Sequence, residues 1–88
     1  MITAIVLVTA ERDAIPTMGG ELAGIEGVSE VYSVTGDVDF IALVRAKQHD
    51  ELADIVTRRI AQVAGVRRTN THVAFKVFSR YDLERIFG

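Results

Sequence analysis

Two carboxylates one residue apart, Asp37 and Asp39, stand in the segment Thr35-Gly36-Asp37-Val38-Asp39. A close carboxylate pair can share a proton and serve general acid–base work. In a connection fixed by a sheet, the same side chains can instead contact a ligand, or simply cap and shape a tight turn. Residue type alone leaves all three open. Other reactive groups are sparse. His49 and His72 are the two histidines and cysteine is absent, so nothing has the spacing of a metal site. Ser29, Ser33 and Ser79 lie outside any G-x-S-x-G elbow. Neither a phosphate-binding loop nor a G-x-G-x-x-G run occurs, and no cofactor is expected.

The elements that must hold Asp37 and Asp39 follow from the apolar pattern, which nearly repeats itself. Ile5 to Ala10 leads after a helix-length gap to Ile25-Glu26-Gly27-Val28, and Phe40 to Ala46 leads to Val63-Ala64-Gly65-Val66. The units lie roughly 37 residues apart, long enough for one strand–helix–strand unit. Strands are predicted over Thr3–Thr9, Glu30–Thr35, Phe40–Arg45 and Asn70–Phe78. The first and third are continuous apolar runs, as expected of central strands buried on both faces. A first helix is predicted from Ala14 to Ile25, with Ile15, Met18, Leu22 and Ile25 as its apolar stripe and Pro16 in its first turn. Gly19 and Gly20 inside it would fit a close approach to the sheet. A second helix buries Leu52, Ile55, Val56, Ile60 and Val63 and stops at Gly65, with acidic residues early and Arg58 and Arg59 late. The expected fold is therefore α+β: a ferredoxin-like split βαβ (βαββαβ) sandwich, with two helices on one face of a four-stranded antiparallel sheet. Asp37 and Asp39 then sit in the hairpin between the second and third strands. Tyr81 to Phe87 is apolar enough to form a short docked helix, so residues 79–88 read as a C-terminal tail on a single domain spanning 1–88.

A chain of 88 residues with 49% hydrophobic residues carries more apolar material than so small a monomer hides well. Two helices cover one sheet face, yet Ile41 and Leu43 alternate with Phe40, Ala42 and Val44. Val73, Phe75 and Val77 are expected on one face of the last strand, opposite Ala74 and Phe78. An apolar open face predicts a dimer packed sheet to sheet. A net charge of −2 and a pI near 5.6 argue against an electrostatic grip on nucleic acid, and Arg58-Arg59 and Arg67-Arg68 read as solvated surface. Ile2–Ala10 is too short to span a bilayer and runs into Glu11-Arg12-Asp13. A cytoplasmic protein without membrane contact is expected.

The segment Val34-Thr35-Gly36-Asp37-Val38-Asp39-Phe40, together with Val63-Ala64-Gly65-Val66-Arg67-Arg68-Thr69-Asn70-Thr71-His72-Val73, resembles the effector-binding (RAM) domain of the Lrp/AsnC transcriptional regulators. Those domains carry a "TG-x-x-D" hairpin and a "PGV-x-x-T-x-T" entry into the last strand. The resemblance covers about Ile2 to Phe78 and implies a sheet-to-sheet dimer assembling into octamers or similar rings. It implies an amino acid or related small effector and a sensor without catalytic turnover. Gly36, Asp37 and Asp39 would line the polar end of the ligand, with Thr69 and Thr71 nearby. Amides and hydroxyls would suit a carboxylate, and aspartate an ammonium. Members of the family begin with a helix-turn-helix domain for which this chain has no room. It therefore reads as a stand-alone module without direct DNA contact, acting through its ligand or through a full-length Lrp/AsnC partner. Val38 replaces an aromatic residue and no proline precedes Gly65, so effector identity does not carry over. Two other readings are a small dimeric α/β-barrel enzyme with His72 or Asp37 as base, and an assembly partner that binds no ligand.

Overall fold

The structure of the chain, a computed structural model, describes residues 1–78 and residue 80. Strand β1 (Ile2–Ala10) is followed by a short 3-10 turn, helix α1 (Ile15–Ala23), β2 (Val28–Ser33), β3 (Phe40–Ala46), helix α2 (His49–Asp54) and β4 (Val66–Val73). The sheet order is β2-β3-β1-β4 with every neighbouring pair antiparallel, so the two continuous apolar strands are the central ones. This is the ferredoxin-like βαββαβ arrangement, with both helices packed on one side.

The core lies between that side and the helices. Ala4, Val6 and Val8 of β1 stand beside Val44, Ala42 and Phe40 of β3, and all six are buried against Met18 and Leu22 of α1. Pro16 occupies the first turn of α1, where its missing N–H leaves no intrahelical bond unmade. A Cβ on Gly19 would stand 3.3 Å from the Phe40 ring, so this glycine lets α1 lie close on β3, whereas Gly20 faces open space. Beyond Asp54 the second helix widens into i→i+5 turns over Ile55–Ile60, where the Ala61 N–H donates to the Val56 carbonyl. The wider turn returns Ile60 to the face of Ile55, and both are fully buried.

The repeat in the sequence is a repeat in the backbone. Gly27 and Gly65 both have φ near +95°, a region that L side chains rarely adopt, and each ends a helical unit just before an edge strand. The Gly65 carbonyl accepts from Glu11 N–H at 2.7 Å, and the Gly27 carbonyl accepts from Arg45 N–H at 2.8 Å. A Cβ on Gly65 would collide with Ala14, and one on Gly27 with Ile55.

Both edge strands depart from the expected boundaries. β2 begins at Val28 rather than Glu30 and ends at Ser33, while β4 begins at Val66 rather than Asn70 and ends at Val73. Each contains a bulge one residue in, between Val28 and Glu30 in β2 and opposite Thr9 and Ala10 in β4. Phe75, Val77 and Phe78 therefore do not belong to a sheet face, although all three are exposed. Val73 pairs with Ala4 on the helix-covered side. The helix expected over Tyr81–Phe87 lies outside the described residues.

Candidate ligand-binding site

The β2–β3 connection is fastened to the end of β1. Val34 N–H donates to the Asp39 carbonyl at 3.1 Å, closing the loop, and Asp39 N–H donates to the Val8 carbonyl at 2.9 Å. The Asp39 carboxylate then accepts the Ala10 N–H at 2.8 Å through Oδ2. That bond occupies a strand-end donor left free where β1 runs on past Phe40, the first residue of β3. Beyond this clamp Gly36 lies at the tip with φ +113° and open space around it, and Asp37 is exposed beside the half-buried Val38.

The register of β4 decides what faces the tip. Arg68 pairs with Thr9 and Asn70 with Leu7, on the side of the sheet away from the helices. Thr69 and Thr71 pair with Val8 and Val6 on the helix-covered side. Leu7, Thr9, Asp37, Val38, Arg68, Thr69 and Asn70 together line a cavity of about 410 Å³. A neighbouring recess of about 260 Å³, lined by Thr9, Arg67 and Arg68, shares two of those residues. The large cavity thus has an apolar part from Leu7 and Val38, one carboxylate, one guanidinium, an amide and two threonines. Arg67 is drawn elsewhere, with its Nε 3.5 Å from Glu11 Oε1.

Of the five residues that the resemblance marked, Asp37 and Thr69 line this cavity. Gly36 lies just beyond it at the tip, Asp39 lies behind it in the clamp, and Thr71 lies on the other side of the sheet. Asp37 and Asp39 do not combine into an acid–base pair, because the Asp39 carboxylate is spent on the Ala10 amide. His72 pairs with Ile5 and does not reach the cavity lining. Arg68 and Asn70 were not foreseen. A strand starting at Val66 would have brought them opposite the hairpin, but the Arg67-Arg68 pair reads in the sequence as solvated surface. Among the described residues there is no buried polar side chain and no cluster of three metal-ligating groups.

Residues 3–83 match the family described as the Lrp/AsnC ligand binding domain. The chain belongs to the Lrp/AsnC family. A crystal structure of a protein from Thermus thermophilus is 45% identical and superposes with a TM-score of 0.84, covering 91% of this chain and all of that one. The feast or famine regulatory protein of M. tuberculosis, solved in complex with L-methionine, is 30% identical with a TM-score of 0.73, covering 90% of this chain and 53% of its own. An HTH-type transcriptional regulator of Pyrococcus furiosus is 36% identical over 76 residues, which make up 83% of this chain and 51% of the regulator. This Lrp/AsnC domain thus spans about half the length of the curated relatives it matches. Its fold is that of the family's ligand-binding half, and its relatives are transcriptional regulators. Among the described residues no helix is long and apolar enough to cross a membrane.

Proposed function

We propose that this Lrp/AsnC domain is a sensor. It binds an amino acid or related small molecule in the cavity between the hairpin and β4, without turnover, and acts in transcriptional regulation through its assemblies. The observation that carries this reading is the cavity itself, where the hairpin and the entry to β4 meet over an apolar floor with opposite charges on its wall. The L-methionine held by the 30% identical M. tuberculosis regulator supports the same ligand class. The absence of buried polar side chains between sheet and helices, among the described residues, weighs against the enzyme reading, which needs a base there.

Self-association belongs to the same reading. Ile5, Leu7, Ile41 and Leu43 form an apolar strip on the face that no described helix covers, with Glu30 on the β2 edge and His72 on the β4 edge of one cross-strand row. A second copy turned about an axis along the strands sets each β2 edge over a β4 edge. It thereby places acid opposite imidazole and covers the strip. Rings of such dimers, an octamer among them, and mixed assemblies with a full-length regulator extend this reading. The domain needs no direct hold on DNA, consistent with its net charge of −2.

Thermal unfolding of the protein against the twenty common amino acids tests the sensor. A ligand at 100 times its dissociation constant adds about 2.7 kcal/mol per site, a shift on the order of 10 °C for a domain this size. A flat panel overturns the amino-acid reading and leaves an assembly partner without a ligand.

A further inference from the structure

The cavity holds one charge of each sign, and the way β4 enters the sheet decides which arginine supplies the positive one. At the bulge Ala10 pairs with Val66 and Thr9 with Arg68, so Arg67 is the extra residue and falls outside the register. Arg67 turns to Glu11. Arg68 stays in register on the open face, lines the cavity, and makes no ion pair among the described residues. Asp37 is the other charged group of the lining, carried by a different element.

We propose that Arg68 fixes the charge class of the ligand: its guanidinium receives a carboxylate, so the site takes small carboxylates and rejects the same molecules as amides or amines. The inference rests on the sensor reading and deepens it. A guanidinium presents paired N–H donors that match the two oxygens of a carboxylate, a geometry that neither an amide nor an ammonium can answer. The Asn70 amide and the Thr9 hydroxyl stand beside Arg68 and can satisfy the remaining lone pairs, while Asp37 suits a positive end. Leu7 and Val38 leave the third side apolar, so a carboxylate with a short aliphatic or thioether side chain fits all three sides.

The test is isothermal titration of the full chain with matched probes: L-methionine and L-leucine, their amides, and 4-(methylthio)butanoate and 4-methylpentanoate, which lack the amine. The unsubstituted protein is expected to bind an amino acid about tenfold or more tighter than its amide. Arg68→Gln should erase that preference, Arg68→Lys should retain part of it through charge alone, and Arg67→Gln should retain all of it. The preference is a ratio within one protein, so a modest loss of stability does not imitate the result, and Arg68→Lys carries the test if Arg68→Gln fails to fold. Equal affinity for acid and amide, or full preference in Arg68→Gln, overturns the assignment while leaving a sensor in place. Arg68-dependent binding of the amine-free acids alone would uphold the assignment and overturn the amino-acid reading. If no carboxylate probe binds, both fall.

Discussion

On the helix side of the sheet Ala4, Val6 and Val8 have no exposed surface and Phe40 has 3%. On the other side, one residue along, Ile5 is 36% exposed and Tyr32 47%, with Leu7, Ile41 and Leu43 only half covered. Both faces are apolar, yet among the described residues only one has a cover. The covered face is closed by α1 and α2 and determines whether the chain folds. The open face leaves its apolar strip uncovered by the described residues and, at its rim, forms the cavity. Stability and the proposed association thereby fall on alternate residues of the same strands, so substitutions one position apart should report different properties.

The largest effect is expected on the covered side. Ile60→Ala removes a fully buried side chain between helix and sheet and should lower unfolding free energy by about 2–5 kcal/mol, measured by urea denaturation. Asp39→Ala comes next. It deprives the Ala10 amide of its acceptor and loosens the hairpin from β1, for a loss of about 1–3 kcal/mol in the same assay. On the open side, Ile41→Glu should split the proposed sheet-to-sheet dimer, read by sedimentation velocity, while leaving the far-ultraviolet spectrum of the monomer unchanged. An equally sharp dimer boundary would show that the strip is not the interface. Asp37→Asn should change stability by no more than about 0.5 kcal/mol, being exposed and outside the clamp, yet weaken ligand binding.

The smallest effect concerns Tyr32, whose hydroxyl donates to Glu30 Oε2 at 2.6 Å on the open face. That hydrogen bond, followed by the negative charge of Glu30, raises the Tyr32 pKa above the ordinary tyrosine value. A raised folded pKa means that the contribution is present below the unfolded value near 10 and is lost as pH climbs through the folded one. Neutral pH is untouched. Ultraviolet titration should show a late-ionising tyrosine component, and Glu30→Gln should shift that component back toward the normal value, which assigns it to Tyr32.

Much of this contrast was legible in the residues. The unbroken runs Thr3–Thr9 and Phe40–Arg45 could only be central strands, and Ile41 and Leu43 alternating with buried neighbours announced an apolar second face. The edge strands were misjudged at the same place in each half. Val28-Ser29-Glu30 and Val66-Arg67-Arg68 both carry a bulge immediately after a positive-φ glycine. An inserted residue breaks the two-residue period there, so no alternation marks where pairing begins. Arg68 was lost for the same reason, since its place opposite Thr9 depends on a register the bulge conceals. The role of Asp39 is a bond across 29 residues of chain, which spacing alone does not disclose.

Because β1 is central, flanked by β3 on one side and by the last strand on the other, the sheet cannot be completed until the end of the domain is available. During synthesis β1 and α1 emerge first, can meet β3 as soon as the hairpin follows, and must then wait with one edge unpaired. The cavity, walled by β1, the hairpin and β4, comes into existence only at that final pairing. On the proposed sensor reading, ligand occupancy would therefore mark a finished domain, because a nascent or truncated chain lacks one wall of the cavity.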